Sequence, residues 1–323
     1  MNILDFKRLV DKSYVISRLI GTEHEKDVLK INMDDMYQVL SESYTDLLFE
    51  LEEIYGFAGK TSLNIFEAKN FPEEAKNKDH FKKILTEYIE LISPGLLKGE
   101  QVPIGRPMQP PLGVRVIPNL VIEREDGFLI QVVSGIPNQV SDGWGVRTVI
   151  RPHYETVIVR LSVLDPVFVE IRSGYRMCGQ YLSIVEDIVK ATTGQITWEP
   201  LTRLSELEAE RIAKLLDAGL VEADHLGTGI YGRKSVSAAE GVDLRKEQKY
   251  QDEYKGLQYL SQTMNVKYTD NKGFVSNISF KVQMNGGFQF LSKVNEQMIT
   301  SVMEAFYQVR YIERLDKSTG TEG

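Results

Sequence analysis

Apolar positions recur at helical spacing through most of the first ninety residues of this 323-residue chain. Asn2 can cap a helix carrying Phe6, Leu9, Val10, Ile16, Leu19 and Ile20, and Gly21 can end it. Ser43 and Asp46 have capping-box spacing ahead of Leu47, Leu48, Leu51 and Ile54, with Gly56 as the stop. Asp79 opens a further stripe of Ile84, Leu85, Tyr88, Ile89 and Ile92. Such stripes bury one helix face in a core, so residues 1–93 read as a helical domain.

The pattern breaks at residue 94. Pro94, Pro103, Pro107, Pro110, Pro111 and Pro118 crowd residues 94–118, and proline fixes φ while removing an amide donor. That stretch reads as an extended linker.

Period-two alternation follows. Leu120–Glu125 and Phe128–Ser134 flank Asp126-Gly127 as a hairpin signal. A loop, IPNQVSDGWG, then leads to expected strands at Val146–Arg151, Tyr154–Leu164 and Val167–Arg172. A helix from Tyr175 to Ala191 is expected to cover their apolar face, with Ile196–Trp198 returning as a strand. Residues 119–202 are thus a first meander-plus-helix unit. Residues 203–244 read as a helix and hairpin inserted after it. Residues 245–316 read as a second unit, with strands at Val266–Tyr268, Val275–Met284 and Phe288–Leu291. A helix capped by Ser292 carries Val294, Met298, Val302, Phe306 and Val309. Residues 317–323, rich in Ser, Thr and Gly, read as a flexible tail. The fold class is α+β.

Composition narrows the setting. An apolar fraction of 42% with 26% charged residues is that of an ordinary soluble globular protein. No apolar run approaches the roughly 18–20 residues needed to span a bilayer. The N-terminus, MNILDFKRLVDK, has the pattern of an amphipathic helix and not of a signal peptide. The single Cys178 excludes an internal disulfide and a cysteine-based zinc site within one chain. A cytoplasmic setting is expected, or a nuclear one in a eukaryote, without membrane contact.

Charge supplies the sharpest clue. The formal net charge is −8, yet residues 1–100 carry −6 of it and residues 101–176 carry +1. Between Gly99 and Val189 stand eight arginines and no lysine: Arg106, Arg115, Arg124, Arg147, Arg151, Arg160, Arg172 and Arg176. Arginine presents a planar fork that grips phosphates and carboxylates bidentately and stacks on bases. Arg147, Arg151, Arg160 and Arg172 fall at alternating positions in expected strands, so they could share one sheet face. The plain alternative is cross-strand pairing with Glu123, Glu155 and Glu170 on a solvated sheet.

The stretches NLVIEREDGFLIQVVSG, TVIRPHYETVIVRLS and DPVFVEIRSGYRMCGQYLSIVEDIV run from meander into helix, and ISFKVQMNGGFQFLSKVNEQMITSVMEAF repeats that order. Together they resemble the centromere protein N family of kinetochore proteins. A strand ending in an apolar-acid-apolar-Arg-Ser pattern there runs into a long helix, as Val169-Glu170-Ile171-Arg172-Ser173 does here. The resemblance implies a saddle-like fold, distantly similar to the TATA-binding protein, on a death-fold-like helical bundle. It also implies binding of nucleosomal DNA and a sister protein, without catalysis. One departure is that residues 1–100 are acidic, whereas family members contact chromatin through a basic helical domain.

Other signals compete less well. The stretch LSELEAERIAKLLDAGLVEADHLGTGIYGRKSV is similar to half of a winged-helix domain, with Arg233 and Lys234 near the wing tip. A plain helix, glycine C-cap and hairpin is the favoured reading, since the two preceding helices of such a domain are not evident. Gly227, Gly229 and Gly232 spell GxGxxG, but a βαβ context is not expected around them. Glu67-Ala68-Lys69 has the E-x-K form of metal-dependent nucleases, and that chemistry needs a second carboxylate on a neighbouring strand. His24, His80, His153 and His225 have no ligand spacing. No catalytic residue, metal or cofactor is assigned. The expected function is non-enzymatic nucleic-acid binding through Arg147, Arg151, Arg160, Arg172, Arg176, Arg233 and Lys234. The acidic helical domain would take a protein partner. The competing class is a protein-interaction adaptor of a defence or mobile-element complex, and behind it a metal-dependent nuclease.

Overall fold

The computed structural model describes residues 1–23, 29–92, 116–162, 166–192, 194–227, 232–254, 256–284 and 286–312. Along the chain run α1 (Ile3–Leu9), α2 (Lys12–Leu19), α3 (Met33–Ser43), α4 (Thr45–Tyr55), β1 (Ser62–Lys69) and α5 (Lys78–Ile92). Then come β2 (Ile117–Arg124), β3 (Gly127–Asp142), β4 (Gly145–Arg160), β5 (Val167–Arg172), α6 (Cys178–Ile188) and β6 (Thr197–Pro200). The remainder is α7 (Glu206–Leu215), β7 (Gly219–Leu226), β8 (Arg233–Ser237), α8 (Gln248–Tyr254), β9 (Tyr259–Thr269), β10 (Val275–Gln283), β11 (Phe288–Phe290) and α9 (Glu296–Tyr307). Among these residues no helix is long and apolar enough to cross a membrane. The fold is α+β, and the chain divides into two units, Met1–Ser62 with Leu201–Gly323, and Leu63–Pro200.

In the first unit, α1 to α4 enclose Phe6, Val10, Tyr14, Val15, Leu19, Met36, Leu40, Leu51 and Tyr55. Asn2 caps α1 as expected, accepting from the Asp5 amide. The single helix expected over Phe6–Ile20 is split at Val10, because Asp11 turns outward to cap α2 through the Ser13 amide. Ser43 ends α3 instead of opening α4, whose N-cap Tyr44 makes no side-chain cap bond. The unit's sheet is antiparallel with order β11-β10-β9-β7-β8. The helix and hairpin of 203–244 are therefore not a separate insertion, since β7 pairs along β9. Asn295, and not Ser292, caps α9. From α9, Phe306 meets Phe288 edge-on at 5.1 Å.

The second unit is an antiparallel sheet of order β2-β3-β4-β5-β1-β6. Phe66, Ala68, Phe128, Ile130, Val132, Val157, Val159, Val167, Val169 and Ile171 share one face. Phe81, Leu85 and Ile89 of α5 pack there with Tyr181, Val185 and Ile188 of α6, so the expected covering helix is in place. Two expectations change here. The helical domain over 1–93 is broken by β1, which lies between β5 and β6, and α5 belongs to the core of this second unit. The linker gives up its end to β2, where Pro118 tolerates an edge strand; residues 93–115 lie outside the described residues. Gly127 has φ 151° and a Cβ there would stand 2.0 Å from the Val159 carbonyl oxygen, so only glycine admits this close pass.

Candidate nucleic-acid interface

β3 and β4 pair without interruption from Gly127↔Arg160 to Asp142↔Gly145. The loop expected at 136–145 is thus strand except for a two-residue turn at Gly143-Trp144, after which Gly145 takes φ 137°. The expected strands 146–151 and 154–164 are one strand, continuous through Pro152. Flanking strands stop early. β2 reaches only Val133, and β5 reaches only Thr156. Beyond those points the described sheet is a two-stranded arm.

Side-chain parity on the arm follows from the register. Ile136, Asn138 and Val140 of β3 lie opposite Arg151, Val149 and Arg147 of β4, all on the face that carries Val157 and Val159 further in. Arg147 and Arg151 are exposed, as are Ile136 and Val146. Trp144 at the turn is 99% exposed. An indole so placed is rare, because large aromatic side chains normally bury most of their area.

Arg160 and Arg172 lie elsewhere. Even-numbered Arg160 points to the opposite face of β4, and Thr156↔Arg172 puts Arg172 on that face too. Between them sits Glu170, fully buried. Arg172 Nε donates to Glu170 Oε1 at 2.8 Å, and an Arg160 terminal nitrogen donates to Oε2 at 3.1 Å. Arg160 also pairs with Asp126. Burial works to raise the Glu170 carboxyl, and the Arg172 and Arg160 charges and hydrogen bonds overcome it, holding it below the ordinary carboxylate range. The four strand arginines do not converge: two serve a buried ion network and two stand on the arm. Of the carboxylates expected as partners, Glu170 alone takes a strand arginine among the bonds described; Glu123 takes Lys78 and Lys82, and Glu155 takes His153 and Ser173.

The remaining candidates are scattered. Arg176 is exposed in the short turn of helix Tyr175–Met177 after β5. Arg233 pairs with buried Asp224, which also accepts from Ser235, Ser261 and Lys281. Burial works to raise Asp224, and those hydrogen bonds outweigh it and hold the carboxyl far below its usual range. Lys234 Nζ lies 5.8 Å from the centre of the Tyr254 ring. Gly227 and Gly232 join β7 to β8, two strands, and so lack the helix that a dinucleotide site requires.

The E-x-K sequence lies on β1 with Glu67 opposite Glu199 of β6, supplying the neighbouring carboxylate that the sequence left unseen. Lys69 binds Glu67 and stands 3.8 Å from Glu199. Its ammonium takes the place a metal would need, and among the described residues no group of three His, Cys, Asp or Glu side chains could hold a metal.

A groove of about 1130 Å³ in the first unit is lined by Tyr250, Tyr254 and Tyr259 with four acidic and four basic side chains. Its polar rings are engaged: His225 Nε2 and Tyr250 Oη are 2.9 Å apart, and Tyr250 Oη lies 3.0 Å from Tyr259 Oη. The formal charges of its lining side chains cancel. The feature missed in the sequence is Trp144, whose signal was its place between two glycines in a run read as loop. Compared with known proteins, the chain matches no family model and no curated sequence.

Proposed function

We propose that this is a non-enzymatic nucleic-acid-binding protein whose contact element is the β3–β4 arm. One observation carries the reading: an arm that is two-stranded among the described residues presents exposed Arg147 and Arg151 on one face and an exposed indole at its tip. Arginine forks suit phosphate, and a narrow ribbon fits against a nucleic-acid strand. Arg160 and Arg172 drop out of the contact set, and Arg176 remains as an exposed outlier on the same unit. A kinship with the centromere protein N family, with its duplicated saddle-like arrangement, belongs to the same proposal; the run from Val169 to Ser173 into α6 supports it.

The test is fluorescence anisotropy with a labelled oligonucleotide, comparing the wild type with the Arg147→Gln, Arg151→Gln double variant. Affinity should fall at low salt and its salt dependence should flatten, because each lost phosphate contact removes close to one unit of the log–log slope, or less on single strands. Unchanged affinity in the double variant sinks the proposal.

The adaptor reading keeps one specific support in the acidic N-terminal region, exposed Ile20 just after α2 and exposed Phe49 on α4. A partner that copurifies with the wild type but not with Phe49→Asp, in a nucleic-acid-free preparation, would favour it.

A further inference from the structure

Resting on that reading, we infer that the arm takes single-stranded nucleic acid, with Trp144 as a stacking platform for an unpaired base. The argument begins with charge. The arm from Gly135 to Pro152 carries two arginines and one acid, Asp142, in a chain of net charge −8. A duplex binder commonly neutralises on the order of six to ten phosphates, and electrostatics supplies much of its affinity. Arg147 and Arg151 supply two. Phosphate contact alone is therefore too weak, and a second source of binding energy is needed.

The arm offers one in its apolar and aromatic surface. Trp144 presents an indole at 99% exposure, with exposed Val146 two residues on. On the arginine face, Val149 lies between Arg147 and Arg151, with Val140 and Ile136 across the ribbon. The two arginines are four residues apart, roughly 13 Å along the strand, with Val149 and, opposite it, Asn138 between them, and Ile136 and Val140 across from the arginines. Bases inside a duplex already stack on each other and show only their edges. Unpaired bases show their faces, and a face is what an indole or a guanidinium plane engages. Arginine at the rim and apolar surface between fits an extended strand whose phosphates lie outward and whose bases lie on the ribbon.

The chain provides its own reporter. Its other tryptophan, Trp198, is part-buried off the arm and donates Nε1–H to Glu186 at 2.7 Å, so quenching of exposed-indole emission reports Trp144. The full chain is titrated with oligo(dT), oligo(U) and a duplex of equal length, following tryptophan emission and anisotropy. Single strands should quench the emission and bind more tightly than duplex, with a log–log salt slope of about −1.4 for two contacts. Trp144→Ala should weaken single-strand binding roughly 5- to 150-fold and duplex binding by a smaller factor, while Trp144→Phe retains most of the single-strand affinity. The dT and U arms distinguish DNA from RNA as the source of the strand. If Trp144→Ala leaves single-strand affinity intact while the double arginine variant lowers it, the stacking inference is overturned and phosphate binding by the arm stands. If neither variant changes binding, or the wild type binds none of the three at low salt, both fall.

Discussion

The inner and outer halves of β4 hold three arginines in opposite circumstances. In the inner half, Arg160 stands between β3 and β5 and is fixed by Glu170 and Asp126. In the outer half, Arg147 and Arg151 stand on a ribbon that neither β2 nor β5 reaches. Residue type is the same and backbone conformation is the same. What differs is the number of strands alongside, and with it the dielectric around the charge. Removing one partner of a buried guanidinium–carboxylate pair is costly, whereas a guanidinium exposed on a ribbon contributes little to stability.

The largest test of that contrast is on the buried side. Glu170→Gln keeps the shape but removes the carboxylate charge that pairs with Arg172, which is 3% exposed. Breaking one partner of a buried pair costs about 3–5 kcal/mol, so thermal or urea unfolding should show a loss of that order. The double change Glu170→Leu, Arg172→Met should recover much of it, since replacing both partners by apolar groups of similar volume is often neutral. A loss below about 1 kcal/mol in Glu170→Gln would mean the pair behaves as a solvated surface bridge, and the contrast would collapse.

The pH dependence sharpens the same point. The Glu170 carboxyl sits below its ordinary 4.5 in the folded protein, so the folded state binds a proton less readily than the unfolded chain. Its contribution is therefore complete above the ordinary carboxylate range and is lost as pH falls through the lowered folded value. The stability gap between wild type and Glu170→Gln should be constant near neutrality and close progressively below about pH 4. A gap that stays constant down to acid pH, followed by urea unfolding at each pH, would contradict the assignment.

How far this was legible follows from particular residues. The stripes of α4 and α5 and the alternation of β4 and β5 were readable because each depends on near neighbours in sequence. β1 was not, although Leu63, Ile65, Phe66 and Ala68 give a largely apolar stretch of the kind that central strands show. Its partner β5 lies about a hundred residues later, with Asn64 opposite Ile171, and no local period encodes that pairing. Pro152 hid the division of the arginines. Taken as a break, it allowed Arg151 and Arg160 to be assigned faces independently; with β4 continuous through it, odd and even positions must oppose each other. The partner of Arg172 was within reach, because Glu170 is two residues away on the same face. The exposure of Trp144 was not, since it depends on where β2 and β5 stop.

The smallest expected effect completes the comparison from the open side. Arg151→Gln removes a charge from an exposed position whose cross-strand neighbour Ile136 is exposed and whose same-face neighbour Val149 is half-buried. Substitutions at such places change stability by no more than about 0.5 kcal/mol, which is within the scatter of replicate melts. The informative outcome is the pairing of two readouts: an unchanged midpoint beside a weakened affinity for the labelled oligonucleotide. A stability loss in Arg151→Gln approaching that of Glu170→Gln would mean the arm is held by packing rather than left open. In that case the exposed face would have a structural duty, and the separation between the two halves of β4 would no longer hold.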